Sequence, residues 1–173
     1  MTEQTFKIQV FSCKDKMYRF AKRLLISTEE AEDIVQELMV KFWKNKEDLT
    51  QIQNIEAYLM KSVKYECLNR LRHHKVVMEF QKEHPVEAKT TENHQSTEIK
   101  EWILKWIEKL PDKQKLVIHL RDIEEYSVNE IAEILEMEEN AVRVNLMRAR
   151  QKIKENLQKL FKHENERLQQ DIY

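Results

Sequence analysis

No glycine occurs anywhere in the 173 residues, and only two prolines, Pro85 and Pro111, interrupt the chain. Glycine is the default residue for left-handed turns, tight hairpins and phosphate-cradling loops. A chain without it is steered away from β-hairpin folds and from glycine-dependent nucleotide sites. The rest of the composition, rich in Glu, Lys, Leu, Ile and Gln, is helix-forming. An all-α fold is the expectation, and the length suits two small helical domains or one of medium size.

Apolar periodicity divides the chain. Met17, Phe20, Ala21, Leu24 and Leu25 recur at helical spacing between Lys16, Arg19, Lys22 and Arg23, which predicts a helix with a basic outer face ending near Ser27. Ser27-Thr28-Glu29-Glu30 has the form of a capping box and opens a second helix. That helix carries Ala31, Ile34, Val35, Leu38, Met39, Phe42 and Trp43 on one stripe, with Asp33, Gln36, Glu37, Lys41 and Lys44 elsewhere on its surface. Asn45 to Asn54 reads as a loop. Ile55, Leu59, Val63, Leu68 and Leu71 then mark a third helix, in which Lys61, Lys64, Arg70, Arg72 and Lys75 outweigh Glu66.

Residues 76–97 lose this periodicity and turn polar, which predicts a flexible linker between a domain over 1–75 and a second over 98–173. Ile99, Trp102, Ile103, Trp106, Ile107 and Leu110 rebuild an apolar face, and Pro111 stops that helix before another begins around Leu116. Ser127-Val128-Asn129-Glu130 is a second capping box, opening a short helix that bears Ile131, Ala132 and Leu135. After Glu136 to Glu138, a long run places Val142, Leu146, Ala149, Ile153, Leu157 and Leu160 on one seam and a basic flank outside it.

A short helix, a tight turn and a basic second helix form a helix-turn-helix in the C-terminal domain. A helix about 10–12 Å across fits a major groove about 12 Å wide. Arg143, Val144, Asn145, Met147 and Arg148 are the candidate groove residues, with Arg150 beyond them. The same arrangement is also an ordinary way for helices to pack, with basic residues complementing a helix dipole. The third helix adds a second basic surface in which Tyr58 and Tyr65 interleave with the lysines, suited to stacking unpaired bases while cations follow phosphates. Either tyrosine could equally close the core. The net charge is −1 with 35% of residues charged, so a nucleic-acid surface must come from segregated charge.

Other classes find little support. There is no phosphate loop, no metal-ligand spacing among the six histidines and two cysteines, and no nucleophile arrangement, so no enzyme, metal or cofactor is expected. Cys13 and Cys67 read as small buried apolar residues. No stretch reaches the roughly twenty apolar residues of a membrane helix, and the first residues lack signal-peptide character, so no membrane insertion and a cytoplasmic location are expected. A stand-alone helix-turn-helix regulator and a helical protein-binding adaptor remain open on the residues alone.

Ala31-Glu32-Asp33-Ile34-Val35-Gln36-Glu37 with Phe42-Trp43 resembles the helix by which bacterial sigma factors of the sigma-70 family bind RNA polymerase. Ala57-Tyr58-Leu59 and Leu68-Asn69-Arg70-Leu71-Arg72 are similar to that family's helix for the −10 element, with Leu49 to Asn54 corresponding to its base-capturing loop. Leu110-Pro111, Leu120-Arg121, Glu130-Ile131-Ala132-Glu133-Ile134-Leu135, Val142 and Arg148-Ala149-Arg150 follow the −35-binding domain in order and spacing. The resemblance covers roughly residues 12 to 161, and the short linker is similar to the extracytoplasmic-function group.

The resemblance implies an alternative sigma factor with Asp33, Gln36, Glu37 and Lys41 on the polymerase clamp. Leu49, Tyr58, Lys61, Lys64, Tyr65, Asn69, Arg70 and Arg72 would lie at the −10 element, and Arg143, Val144, Asn145, Met147, Arg148 and Arg150 at the −35 element. It implies core RNA polymerase, through clamp and flap, promoter DNA and an anti-sigma factor as partners, a free monomer, and a nucleoid location during initiation or retention at the inner membrane by the anti-sigma factor. The chain departs from the family pattern at Glu136-Met137-Glu138, where Gly-Ile-Ser is frequent, and at Tyr65, where an asparagine is expected.

Overall fold

The computed structural model describes residues 1–25, 27–80 and 98–170, and all regular structure among the described residues is helical. In chain order the helices are α1 (Glu3–Gln9), α2 (Lys14–Leu24), α3 (Thr28–Lys44), α4 (Ile55–Phe80), α5 (Glu98–Glu108), α6 (Asp112–Ile118), α7 (Val128–Leu135) and α8 (Glu139–Gln170). Short 3₁₀ turns occupy Phe11–Cys13 and Asp48–Gln51, and a π turn spans His119–Ile123.

Two compact units form. One contains the described residues up to 80 together with 129–137, and the other contains 98–128 with 138–170. The expected linker over 76–97 is only partly described: α4 continues through Phe80, and 81–97 lie outside the described residues. Residues 129–137, which in chain order fall inside the second expected domain, cluster with the first unit.

In the first unit α2, α3 and α4 pack on one another. Met17, Phe20 and Ala21 of α2 meet a core built from Ala31, Ile34, Val35, Leu38 and Phe42 of α3 and Ala57, Leu59, Met60, Val63 and Cys67 of α4. Full burial of each large apolar side chain contributes about 1.5–3 kcal/mol before entropy is charged against it. The buried line of α4 differs from the expected one, since Leu68 and Leu71 are only half-buried while Ala57, Met60, Lys64 and Cys67 turn inward. The Lys16 ammonium lies 2.7 Å from a Glu56 carboxylate oxygen and ties α2 to α4.

Local chemistry starts these helices. The Ser27 hydroxyl accepts from the Glu30 amide at 3.3 Å, but the Glu30 carboxylate lies 2.9 Å from His74 Nε2, so this capping box is satisfied on one side only. Asn54 caps α4 by accepting from the Ala57 amide at 3.0 Å. α1 was not foreseen in the periodicity; Thr2 caps it, and its Phe6 meets the Trp43 ring edge-on at 5.0 Å.

In the second unit α5 and α6 pack on α8, burying Ile107, Leu110, Val117, Ile118, Leu120, Val142, Leu146 and Ala149. Pro111 sits at the start of α6 as expected, and its carbonyl accepts from the Lys115 amide at 2.9 Å. Both cysteines are buried free thiols, and burial pushes that of Cys67 up to about 12.

Candidate functional site

With Ala31, Ile34, Val35, Leu38 and Phe42 turned inward, α3 leaves Asp33, Gln36, Glu37 and Lys41 exposed. Helical geometry puts Asp33, Gln36, Glu37, Val40 and Lys44 on one outward strip, with Lys41 at its margin. Val40 is 54% exposed and was not among the expected contacts. An apolar side chain ringed by carboxylates, an amide and lysines is the make-up of a protein-docking surface. Arg70 of α4 stands 3.5 Å from Glu37 and so borders this strip.

On α4, Tyr58, Lys61, Tyr65, Asn69 and Arg72 follow at spacings of three and four, and the helix brings them onto one face. Tyr58, Tyr65, Asn69 and Arg72 are exposed, and Lys61 is half-buried. The Tyr58 ring tilts against the buried Phe42 at 6.0 Å, which orients it without covering it. Arg72 donates to the Asn69 side-chain oxygen at 3.0 Å. Leu49 does not join this face. It is 3% exposed, so its side chain serves the core, and the expectation of a base contact from it is corrected.

Lys64 lies at the edge of the same face with its side chain 8% exposed. Its ammonium is 2.7 Å from one Glu136 carboxylate oxygen, and the Lys61 ammonium is 2.9 Å from the other. The Tyr65 hydroxyl, with its single proton, lies within donating distance of both, at 2.6 and 2.5 Å. The lysine ammoniums also lie 6.0 and 4.7 Å from the centre of the Tyr65 ring. Hydrogen bonds from Lys64, Tyr65 and Lys61 hold the Glu136 carboxyl down at about 2, and the same carboxylate raises Lys61 and Tyr65 above their ordinary values.

Glu136 has φ of 55°, the left-handed region. The Met137 amide donates to the Ala132 carbonyl at 3.0 Å, the long bond of a Schellman ending to α7. Glycine is the usual residue there, and a glutamate adopts the geometry only at a cost of about 1–2 kcal/mol. Nothing in a sequence scan links Glu136 to Lys64, 72 positions earlier.

On α8, Arg143, Met147 and Arg150 share one exposed face, with Met147 64% exposed. Together with Leu146, Gln151 and Lys154 they line an open depression of about 370 Å³. Gln151 and Lys154 were not among the expected contacts, although Lys154 continues the spacing of Arg143, Met147 and Arg150. Val144 and Arg148 lie to one side of this face. The Asn145 amide donates to the Ala141 carbonyl at 2.8 Å, which turns it toward its own helix. Arg143 pairs with Glu139 at 2.6 Å, and Arg150 makes a two-pronged contact with Asp122 that raises the guanidinium above its ordinary value.

Two basic faces and one mixed docking strip, on helices in this order, find their counterparts among known proteins. Residues 11–76 match sigma-70 region 2 and residues 100–153 match sigma-70, region 4. The chain belongs to the sigma-70 family, in its extracytoplasmic-function group. It is 29% identical over 160 residues to the extracytoplasmic-function RNA polymerase sigma factor SigW of Bacillus subtilis, covering 85% of this chain and 86% of the relative. Identity is also 29% over 154 residues to the RNA polymerase sigma factor SigV of the same organism, covering 85% and 90%. The fold is similar, with a TM-score of 0.75 at 21% identity, to the sigma factor RpoE solved in complex with the anti-sigma factor NepR from Bartonella quintana, over 90% of this chain and 98% of that one. The chain is thus an alternative sigma factor that directs promoter-specific transcription initiation. No helix among the described residues is long and apolar enough to cross a membrane.

Proposed function

We propose that this sigma factor divides its work among three surfaces. The α3 strip of Asp33, Gln36, Glu37 and Lys41, extended by Val40, docks on the coiled coil of the polymerase clamp. The α4 face of Tyr58, Lys61, Lys64, Tyr65, Asn69, Arg70 and Arg72 meets the opened −10 strand, with tyrosines stacking on bases and cations following the backbone. The α8 stripe of Arg143, Met147 and Arg150, with Val144, Arg148 and Lys154 beside it, enters the −35 major groove while the second unit meets the polymerase flap. The observation that carries this reading is the gathering of exposed Tyr58, Tyr65, Asn69 and Arg72, with the half-buried Lys61 among them, on one face of α4, spaced so that a strand can follow the helix.

An anti-sigma factor is the regulator this reading calls for, supported by the NepR complex of the Bartonella quintana sigma factor. The free protein works in the cytoplasm as a monomer and joins the nucleoid during initiation; an anti-sigma factor anchored in the inner membrane would hold it there.

The test is transcription by bacterial core RNA polymerase on a promoter pool, with transcripts sequenced with and without the protein. New start sites sharing two upstream motifs are expected. Capture of a palindromic site without polymerase binding would instead identify a stand-alone regulator. Charge reversal at Asp33 or Glu37 should weaken polymerase binding at least tenfold, since it sets like charge against a partner selected for the opposite sign. An unchanged affinity in a pull-down titration would remove α3 from the clamp interface.

A further inference from the structure

The Glu136 carboxylate sits where three donors of α4 converge, and its chemistry matches that of another ligand. A carboxylate and a phosphodiester each carry one negative charge shared over two unesterified oxygens. Lys61 and Lys64 each approach a separate oxygen, at 2.9 and 2.7 Å, and the Tyr65 hydroxyl reaches both. Lys64 is the most constrained of the three. With its side chain 8% exposed, its stem is fixed by packing and its ammonium faces one direction, so a charge so little hydrated requires an anion opposite it.

We propose that Lys61, Lys64 and Tyr65 form an oxyanion site for one backbone phosphate of promoter DNA, and that the Glu136 carboxylate occupies this site while DNA is absent. The proposal rests on the reading of α4 as the −10 face. Three further observations favour it. Glu136 stands at a left-handed position where glycine would be unstrained, so something other than backbone geometry accounts for a carboxylate there. Its side chain is 44% exposed, so salt and a competing polyanion can reach and displace it. The site is also pre-formed: the Lys64 ammonium lies 4.7 Å from the Tyr65 ring centre, a contact that orients the ring whichever anion is bound. The strand must therefore evict an internal competitor, which lowers affinity for any single-stranded DNA met away from a promoter complex.

The experiment is fluorescence anisotropy of the full chain with a labelled twelve-nucleotide single strand of mixed sequence. A neutral methylphosphonate strand of the same sequence is the control. Glu136→Gln should bind the natural strand about 5–10 times more tightly at low salt, and log K should fall with log salt about 0.7–1.4 more steeply, the slope of one or two additional phosphate contacts. The methylphosphonate strand should show no gain. Lys61→Met and Lys64→Met, which keep the apolar stem and are checked for folding by circular dichroism, should each weaken the natural strand in a Glu136→Gln background. If Glu136→Gln leaves affinity and slope unchanged while the lysine variants weaken binding, α4 is the DNA face but Glu136 does not mask it, and the proposal falls. If neither lysine variant changes binding, the −10 reading of α4 falls as well.

Discussion

The two basic helices of this sigma factor are neutralised in different ways. On α8 the partners of the arginines are near: Glu139 is one turn before Arg143, and Asp122 lies in the same compact unit as Arg150. Such exposed pairs are worth little and yield readily to salt. On α4 the partner is Glu136, more than seventy positions away in sequence, and it engages two lysines and a tyrosine at once, one of the lysines nearly buried. The first arrangement leaves a surface open, whereas the second makes exposure of the surface conditional on where α7 ends. On the proposed assignment of the two helices, such a factor keeps its duplex-reading helix available while guarding the face that must wait for melted DNA.

The sharpest way to break this contrast is to remove the open surface. Arg143→Ala combined with Arg150→Ala should reduce promoter-dependent transcription about 10- to 100-fold, since each well-placed arginine contact to a base contributes about 1–3 kcal/mol, while polymerase capture persists. A run-off assay beside a pull-down separates the two. Equal loss of both activities would mean that α8 serves the fold or the polymerase rather than the groove.

A smaller effect isolates the backbone beneath Glu136. Glu136→Ala and Glu136→Gly both abolish the carboxylate, but only glycine accepts φ of 55° without penalty. Calorimetry should find Glu136→Ala melting roughly 2–4 °C below Glu136→Gly, the shift expected for about 1 kcal/mol in a chain of this size. Identical melting temperatures would show that the end of α7 relaxes once the ion pairs are gone.

The contrast also explains what could be read in advance. α2, α3, α5 and α8 were legible as helices because part of each apolar stripe meets its own unit's core, although Trp43 of α3 and Ile99 and Trp102 of α5 stay exposed. α4 was legible as a helix but not in its register, since its inward line includes Ala57, Lys64 and Cys67, residues that a hydrophobic scan weights lightly. α1 was hidden by its seven-residue length, and the π turn at His119–Ile123 by its dependence on how the chain closes, with the Tyr126 amide reaching back to the Leu120 carbonyl at 2.9 Å. Of the site, the exposed residues of α3 and α8 followed from periodicity, whereas Leu49 and Glu136 did not. Burial of the first and the long-range partners of the second are tertiary facts.

Acid should expose the same cluster. The folded Glu136 carboxyl is held at about 2, below its ordinary value near 4.5, so its contribution to stability is complete above about 4.5 and disappears as pH falls toward 2. The same carboxylate holds Lys61 and Tyr65 above their ordinary values, far from that window, so it is the carboxyl that titrates in acid. Urea unfolding at pH 6 and at pH 3 should therefore show a larger loss for the wild type than for Glu136→Gln, and high salt should shrink the difference because the group is exposed. Parallel losses in the two proteins would place the acid sensitivity elsewhere.

The smallest expected effect lies on α8 and guards against reading every ion pair as a latch. Glu139 stands one turn before Arg143, the orientation in which an acid near a helix start and a cation farther along support each other, and both side chains are about half exposed. Glu139→Gln should cost no more than about 0.5 kcal/mol and nothing measurable in high salt. Because it also releases Arg143 and removes a negative charge beside the proposed DNA-reading face, duplex promoter binding should rise slightly, by less than a factor of about three. A gain as large as that expected for Glu136→Gln on single strands would mean that local pairs mask DNA as effectively as the distant one. The contrast between the two helices would then reflect position along the chain rather than regulation.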